Sequence, residues 1–166
     1  MEIKDKELHR IVTTTIIYKK DKGQFVYLIS RRSLQRKAFP GMWTVPGGGL
    51  TTDDYINTNS STSGSKQWYG ALIKSLHREV KEEVGVKVSM PEFLIDLTFI
   101  RSDNIPVLVL SFFAKYISGK VVFDKDVDGA TIDAKWVTLK EAKKYDLIDG
   151  IWEEIRDVEK ILKSRK

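Results

Sequence analysis

The chain has 166 residues, the length of one compact domain, and 42% of them are hydrophobic, enough for one sizeable core. It contains no cysteine and two histidines, His9 and His77, which excludes disulfides, zinc-thiolate sites, a cysteine nucleophile and a histidine-rich metal centre. Lys and Arg number 28 against 23 Asp and Glu, and the formal charge of +5 favours anionic partners without demanding nucleic acid.

No run approaches the roughly 20 apolar residues that cross a bilayer. The start MEIKDKELHR is too charged for the apolar centre of a secretory signal, so a soluble cytoplasmic protein without membrane contact is expected. His9 to Tyr18 and Gln24 to Ser30 are rich in β-branched and apolar residues on either side of Asp21, Lys22 and Gly23, the pattern of a β-hairpin. In the following RKAFPGMWTVPGGGL, Pro40, Gly41, Pro46, Gly47, Gly48 and Gly49 predict a turn-rich stretch with no regular element. Thr51 to Lys66 is almost wholly polar and reads as a mobile loop. From Gln67 to Val84, Leu72, Leu76 and Val80 recur every fourth position, the spacing of one helix face, and Gly85 supplies a C-terminal cap.

Strand-like composition returns at Phe93–Ile100, Val107–Tyr116, Val121–Phe123 and Ala134–Val137. Leu139 to Tyr145 reads as a short helix, and Ile151, Ile155, Val158 and Leu162 predict a terminal amphipathic helix. Strands, a central helix, more strands and a last helix make a single domain of mixed α+β class.

The chemistry concentrates in Arg78 to Val86, REVKEEVGV. On a helix Glu79 and Glu83 are four residues apart and Glu82 is three from Glu79, so the three carboxylates share a face beside the apolar one. Their mutual repulsion, and the helix dipole near the C-terminal end, call for a compensating positive charge. Hard cations such as Mg²⁺ or Mn²⁺ take oxygen ligands of this kind, although a solvated acidic face screened by Lys74 or Lys81 has the same composition.

Arg78, Glu79, Val80, Lys81, Glu82, Glu83, Val84, Gly85 and Val86 match the second half of the Nudix box, Arg-Glu-aliphatic-x-Glu-Glu-x-Gly-aliphatic, and GMWTVPGGG resembles the approach to that box. The chain thus resembles the Nudix hydrolases over its whole length. The resemblance implies an α/β/α sandwich with a mixed central sheet. It also implies Mg²⁺- or Mn²⁺-dependent hydrolysis of a phosphoanhydride bond in a nucleoside diphosphate linked to another group, such as an NTP, a dNTP or a nucleotide sugar. Glu79 and Glu83 would be metal ligands and Glu82 a ligand or an activator of water. Arg78 would orient Glu79, and a main-chain carbonyl of Gly47, Gly48 or Gly49, with Gly48 the chosen position, would complete the metal shell. Two departures stand out: the glutamate that the family places eight residues before the arginine is Gly70, and the polar stretch Thr51–Lys66 is inserted before the helix. Asp53 or Asp54 could replace the absent ligand.

Arg31, Arg32, Arg36 and Lys37 are candidates for substrate phosphates, because Arg matches phosphate geometry bidentately. Asp133, chosen from Asp124, Asp126, Asp128 and Asp133, is the candidate for an extra acid, and Trp43, Phe39, Trp68 and Tyr69 for stacking on a base. A small nucleotide-like substrate is the expected partner, and the family's habit of forming homodimers is permitted. Two rivals remain. An isoprenoid diphosphate isomerase of the same fold would need further acid and base groups, and a non-catalytic nucleotide sensor or RNA-binding module would fit the missing glutamate and the +5 charge.

Overall fold

A computed structural model of the protein describes residues 6–122 and 131–165. Arg10–Asp21 (β1) and Gln24–Arg32 (β2) form the expected hairpin, pairing Asp21 with Gln24 across a two-residue turn. Lys22 and Gly23 take φ of 47° and 81° there, the left-handed pair that matches the twist of the strands. Two short strands, Trp43–Thr44 (β3) and Gly47–Gly49 (β4), lie in the stretch where the sequence predicts no regular element. The glycines become a strand because Gly47, Gly48 and Gly49 pair antiparallel with Thr14, Thr13 and Val12, far upstream. A Cβ on Gly47 would overlap the carbonyl oxygen of Thr13, so the close pairing requires glycine.

The helix Ala71–Val84 (α1) begins four residues later than its periodicity suggests and ends at Gly85, φ 72°, whose amide donates to the Lys81 carbonyl. Lys87–Val88 (β5), Glu92–Ile100 (β6), Pro106–Ser118 (β7) and Thr131–Val137 (β8) follow. Val121 and Val122 are not in a strand, and Phe123 lies outside the described residues. Leu139–Ala142 (α2) is capped by Thr138, whose hydroxyl accepts from the Glu141 amide, and Ile151–Ser164 (α3) closes the fold.

The sheet runs β3-β2-β1-β7-β5, with β4 on β1, β6 on β7 and β8 on β2. It is mixed, because β1 and β7 pair in parallel while their other neighbours are antiparallel. Strand alternation sends adjacent residues to opposite faces. Ile16, Ile29 and Phe113 pack with Ile151, Ile155, Val158 and Leu162 of α3, while Ile17, Leu28 and Phe112 pack with Leu76, Val80 and Val84 of α1. The result is the α/β/α sandwich, with a core on each side of the sheet. No helix among the described residues is long and apolar enough to cross a membrane.

Candidate active site

The helix α1 turns its acidic residues toward the glycine strand β4. The Glu83 side chain is 17% exposed, and its Oε2 accepts a 3.0 Å hydrogen bond from the Gly47 amide. Burial pushes its carboxyl up to about 7; the Gly47 amide opposes the shift, the neighbouring Glu79 adds to it, and Arg36 and Arg32 oppose it. Glu79 lies directly against Gly48, where a Cβ would overlap its carboxyl carbon. Two carboxylates four residues apart therefore meet the backbone of two adjacent glycines, as the helix period and the Gly-rich strand together allow.

Glu82 does not join them. It is 58% exposed and is held by Arg78, whose Nη1 donates to its Oε2 at 2.8 Å. Arg78 also lies 3.0 Å from Glu79 Oε1 through Nη2, and its Nε donates to Asp54 Oδ1 at 2.7 Å. Asp54 is thus placed differently from the expectation of a replacement metal ligand. One oxygen holds Arg78, the other accepts from the amide and hydroxyl of Thr51 at 2.9 and 3.2 Å, and the side chain is 4% exposed. Hydrogen bonding by Arg78 holds its carboxyl down at about 2, against the opposing effect of burial. Asp53 has no part in this arrangement.

Beside Glu79 and Glu83 opens a cavity of about 720 Å³. Its cations are Arg10, Arg32, Arg36, Lys37 and Arg101, and Leu97, Phe99, Val107 and Val109 give it an apolar wall. Arg32 enters because β2 shifts register against β8 between Arg31 and Arg32, a bulge that re-aims the chain. Its Nε donates to the Ala38 carbonyl at 3.0 Å. Burial, with Arg36 nearby, lowers its pKa. Arg36 stands 3.9 Å from Glu83. Phe39, held at φ 51°, lines the cavity 5.9 Å from Phe99, ring to ring.

Several expected substrate contacts are placed elsewhere. Arg31 donates to the Gly41 carbonyl at 2.9 Å and is not among the cavity-lining residues. Trp43 is 7% exposed in the α3-side core, 4.8 Å from Tyr145, so its ring is used for packing rather than for the cavity. Asp133 sits opposite Arg31 in the sheet and pairs with Lys135 at 3.4 Å. Trp68 packs on Tyr55 and donates to the Thr58 carbonyl within the polar segment, away from the cavity, and exposed Tyr69 does not line it either. Asp124, Asp126 and Asp128 lie outside the described residues. Conversely, sequence reasoning does not single out Arg10 or Glu154, which line the cavity from the first strand and the last helix. No local pattern marks either one.

A family model described as the NUDIX domain matches residues 8–158. The chain belongs to the NUDIX family. It is a hydrolase of the class that acts on pyrophosphate bonds. A curated relative, a nucleoside triphosphatase named NudI from Klebsiella pneumoniae (strain 342), is 26% identical over 131 residues, 73% of this chain and 79% of that protein. Among solved structures, a MutT protein from Methanosarcina mazei Go1 superposes with a TM-score of 0.66 at 21% identity, covering 95% of this chain and 98% of its own. The NUDIX domain of Shewanella oneidensis NrtR, complexed with ADP ribose, gives 0.68 at 16% identity over 94% and 90%. At these identities the superpositions establish the NUDIX fold and nothing finer.

Proposed function

We propose that the protein is a divalent-metal-dependent pyrophosphohydrolase of nucleotides, with nucleoside triphosphates as its first candidate substrates. The observation that carries this reading is the meeting of Glu79 and Glu83 with the Gly47–Gly48 backbone at the wall of a cavity that Arg10, Arg32, Arg36, Lys37 and Arg101 also line. The similarity to a protein named as a nucleoside triphosphatase supports the choice of substrate.

The residues suit a hard cation that shares its shell with substrate. Among the described residues no three acidic or histidine side chains converge. Two carboxylates repelling each other beside a glycine main chain are nevertheless the kind of set that Mg²⁺ uses together with substrate phosphates. Glu79 and Glu83 would hold the ion, with the Gly48 carbonyl beside them. When bound, Mg²⁺ or Mn²⁺ supplies positive charge against the phosphate oxygens and lowers the pKa of a coordinated water.

The chain supplies the positioning. Arg78 fixes the Glu79 carboxylate with a charge-assisted contact, and Asp54 fixes Arg78. Arg32, Arg36, Lys37 and Arg10 neutralise the phosphates and hold them in line with the attacking water. Attack on phosphorus breaks one anhydride P–O bond, and the products are a nucleoside monophosphate with pyrophosphate or with a second phosphate ester. The experiment is a chromatographic assay for nucleoside monophosphate formed from nucleoside triphosphates and nucleotide sugars, with Mg²⁺, Mn²⁺ or chelator. Turnover should require the metal and should fall at least about 100-fold in Glu83→Gln and Glu79→Gln. Undiminished turnover with chelator, or in both variants, overturns the proposal.

A further inference from the structure

Two acids that line the cavity, Asp149 and Glu154, have no task in that reading; Asp149 is exposed and Glu154 is the buried one. Glu154, on α3, is 8% exposed, lines the cavity, and accepts a 2.5 Å hydrogen bond on Oε2 from the Ser111 hydroxyl of β7. Among the described residues no hydrogen bond to its Oε1 and no ion pair to the carboxylate is formed, and Oε1 is not among the fully buried unpartnered atoms, so this cavity-lining carboxylate keeps one accessible acceptor. An unpaired buried carboxylate is costly, and a ligand donor would offset that cost.

Register places this acceptor. Leu97 pairs with Val109, Phe99 with Val107, and Ser111 continues the β7 row beyond Val109. Glu154 therefore stands at the end of an apolar strip that Phe39 edges through its contact with Phe99. Gly47 pairs with Thr14, and Thr14 with Ser111, so the glycine strand and Ser111 lie two strand spacings apart, roughly 10 Å. The amino edge of a base and the first phosphate of its nucleotide are separated by a distance of that order.

We propose that Glu154 reads the nucleobase, selecting nucleotides whose base carries an exocyclic amino group over those bearing uracil or thymine. The inference rests on the nucleotide reading above and names its substrate class. An ionised carboxylate is only an acceptor. Cytosine, adenine and guanine offer it an amino group, and guanine adds a ring N–H. Uracil and thymine offer one N–H flanked by two carbonyl oxygens, which repel a carboxylate. Burial pushes the Glu154 carboxyl up, and the Ser111 hydroxyl, by donating, draws it back toward the acceptor-only form.

CMP and UMP differ only in this feature of the ring and contain no anhydride bond, so their equilibrium binding, measured by calorimetry, tests the inference without turnover. The protein should bind CMP at least about 10-fold more tightly than UMP. Glu154→Gln, whose amide also donates, should bring the ratio close to one, and Ser111→Ala should lower it while keeping the carboxylate. The kcat/KM ratio of CTP to UTP should follow the same order. Equal binding of CMP and UMP by the parent, or an unchanged ratio in both variants, overturns the inference. A CMP preference without hydrolysis of any triphosphate would leave the base reader standing and remove the proposed reaction. Metal-dependent hydrolysis without a base preference would do the reverse.

Discussion

Asp54 and Arg78 are joined by a 2.7 Å hydrogen bond across 24 residues of chain, and this bond ties the polar segment after the glycine strand to the acidic helix. Arg78 in turn touches both Glu79 and Glu82. Removing the acid would free a guanidinium that orients Glu79. Asp54→Asn should therefore reduce kcat about 10- to 100-fold, the range for partners that orient a metal-binding group, with a smaller effect on the KM for nucleotide. Stability should fall by about 1 kcal/mol, because solvent at the half-exposed Arg78 screens the pair. Steady-state kinetics with a Mg²⁺ titration, and urea unfolding, check the two parts.

The same carboxylate sets an acid dependence of folding. Its ordinary value is 3.8 and the Arg78 guanidinium holds it down at about 2 in the folded protein. The unfolded chain takes up this proton first as the pH drops, so the stabilisation is fully present above about 3.8 and is lost as the pH falls through about 2. Asparagine has no such proton to gain. The gap in urea midpoint between the parent and Asp54→Asn should stay constant at neutral pH and narrow between those two values.

How far this arrangement is legible in the sequence depends on whether its partners are local. The β1–β2 hairpin, α1 and α3 are legible because β-branched runs flanking Asp21, Lys22 and Gly23, the four-residue spacing of Leu72, Leu76 and Val80, and the Ile151 to Leu162 stripe are short-range patterns. The pairing of Glu79 with Glu83 follows from the helix period alone. β3 and β4 are not legible, because Gly47–Gly49 become a strand only through Val12–Thr14, more than 30 residues away. Counting eight residues back from Arg78 reaches Gly70, and the acid that reaches Arg78 stands beyond the polar segment at Asp54. Arg10 and Glu154 meet the site only after the sheet and α3 have assembled, so spacing carries no trace of them.

Gly48 is predicted to be intolerant of any side chain for a chemical rather than a folding reason. A Cβ there would overlap the carboxyl carbon of Glu79, so either the carboxylate or the strand must move. A displacement on the order of 1 Å can cost about 100-fold in rate. Gly48→Ala should lose at least that much activity. Gly64→Ala, where a Cβ meets nothing within 4 Å, should match the parent in both activity and melting temperature.

Leu76 is fully buried between α1 and the sheet, on the turn just before Glu79. Leu76→Ala should cost about 2–5 kcal/mol of stability through the cavity left behind. Chemical denaturation would measure the loss. Because the helix keeps its other anchors at Val80 and Val84, activity below the melting transition should fall much less than in Glu83→Gln.

Adjacent arginines on β2 offer the sharpest contrast. Arg31 donates to the Gly41 carbonyl and is exposed on the strand, whereas Arg32, one residue on and past the register shift, is partly buried at the cavity wall with Arg36. If the cavity receives phosphates, only the second arginine contributes charge there. A charged hydrogen bond contributes about 1.5–3 kcal/mol, so Arg32→Ala should raise the KM for a nucleoside triphosphate roughly 10- to 100-fold. Arg31→Ala should change it less than about 2-fold. Lysine at position 32 should recover only part of the loss, because it keeps the charge but not the paired donors or the bond to the Ala38 carbonyl. Equal KM values for the two alanine variants would place the phosphates elsewhere, and saturation curves for the parent and the three variants with one triphosphate settle the matter.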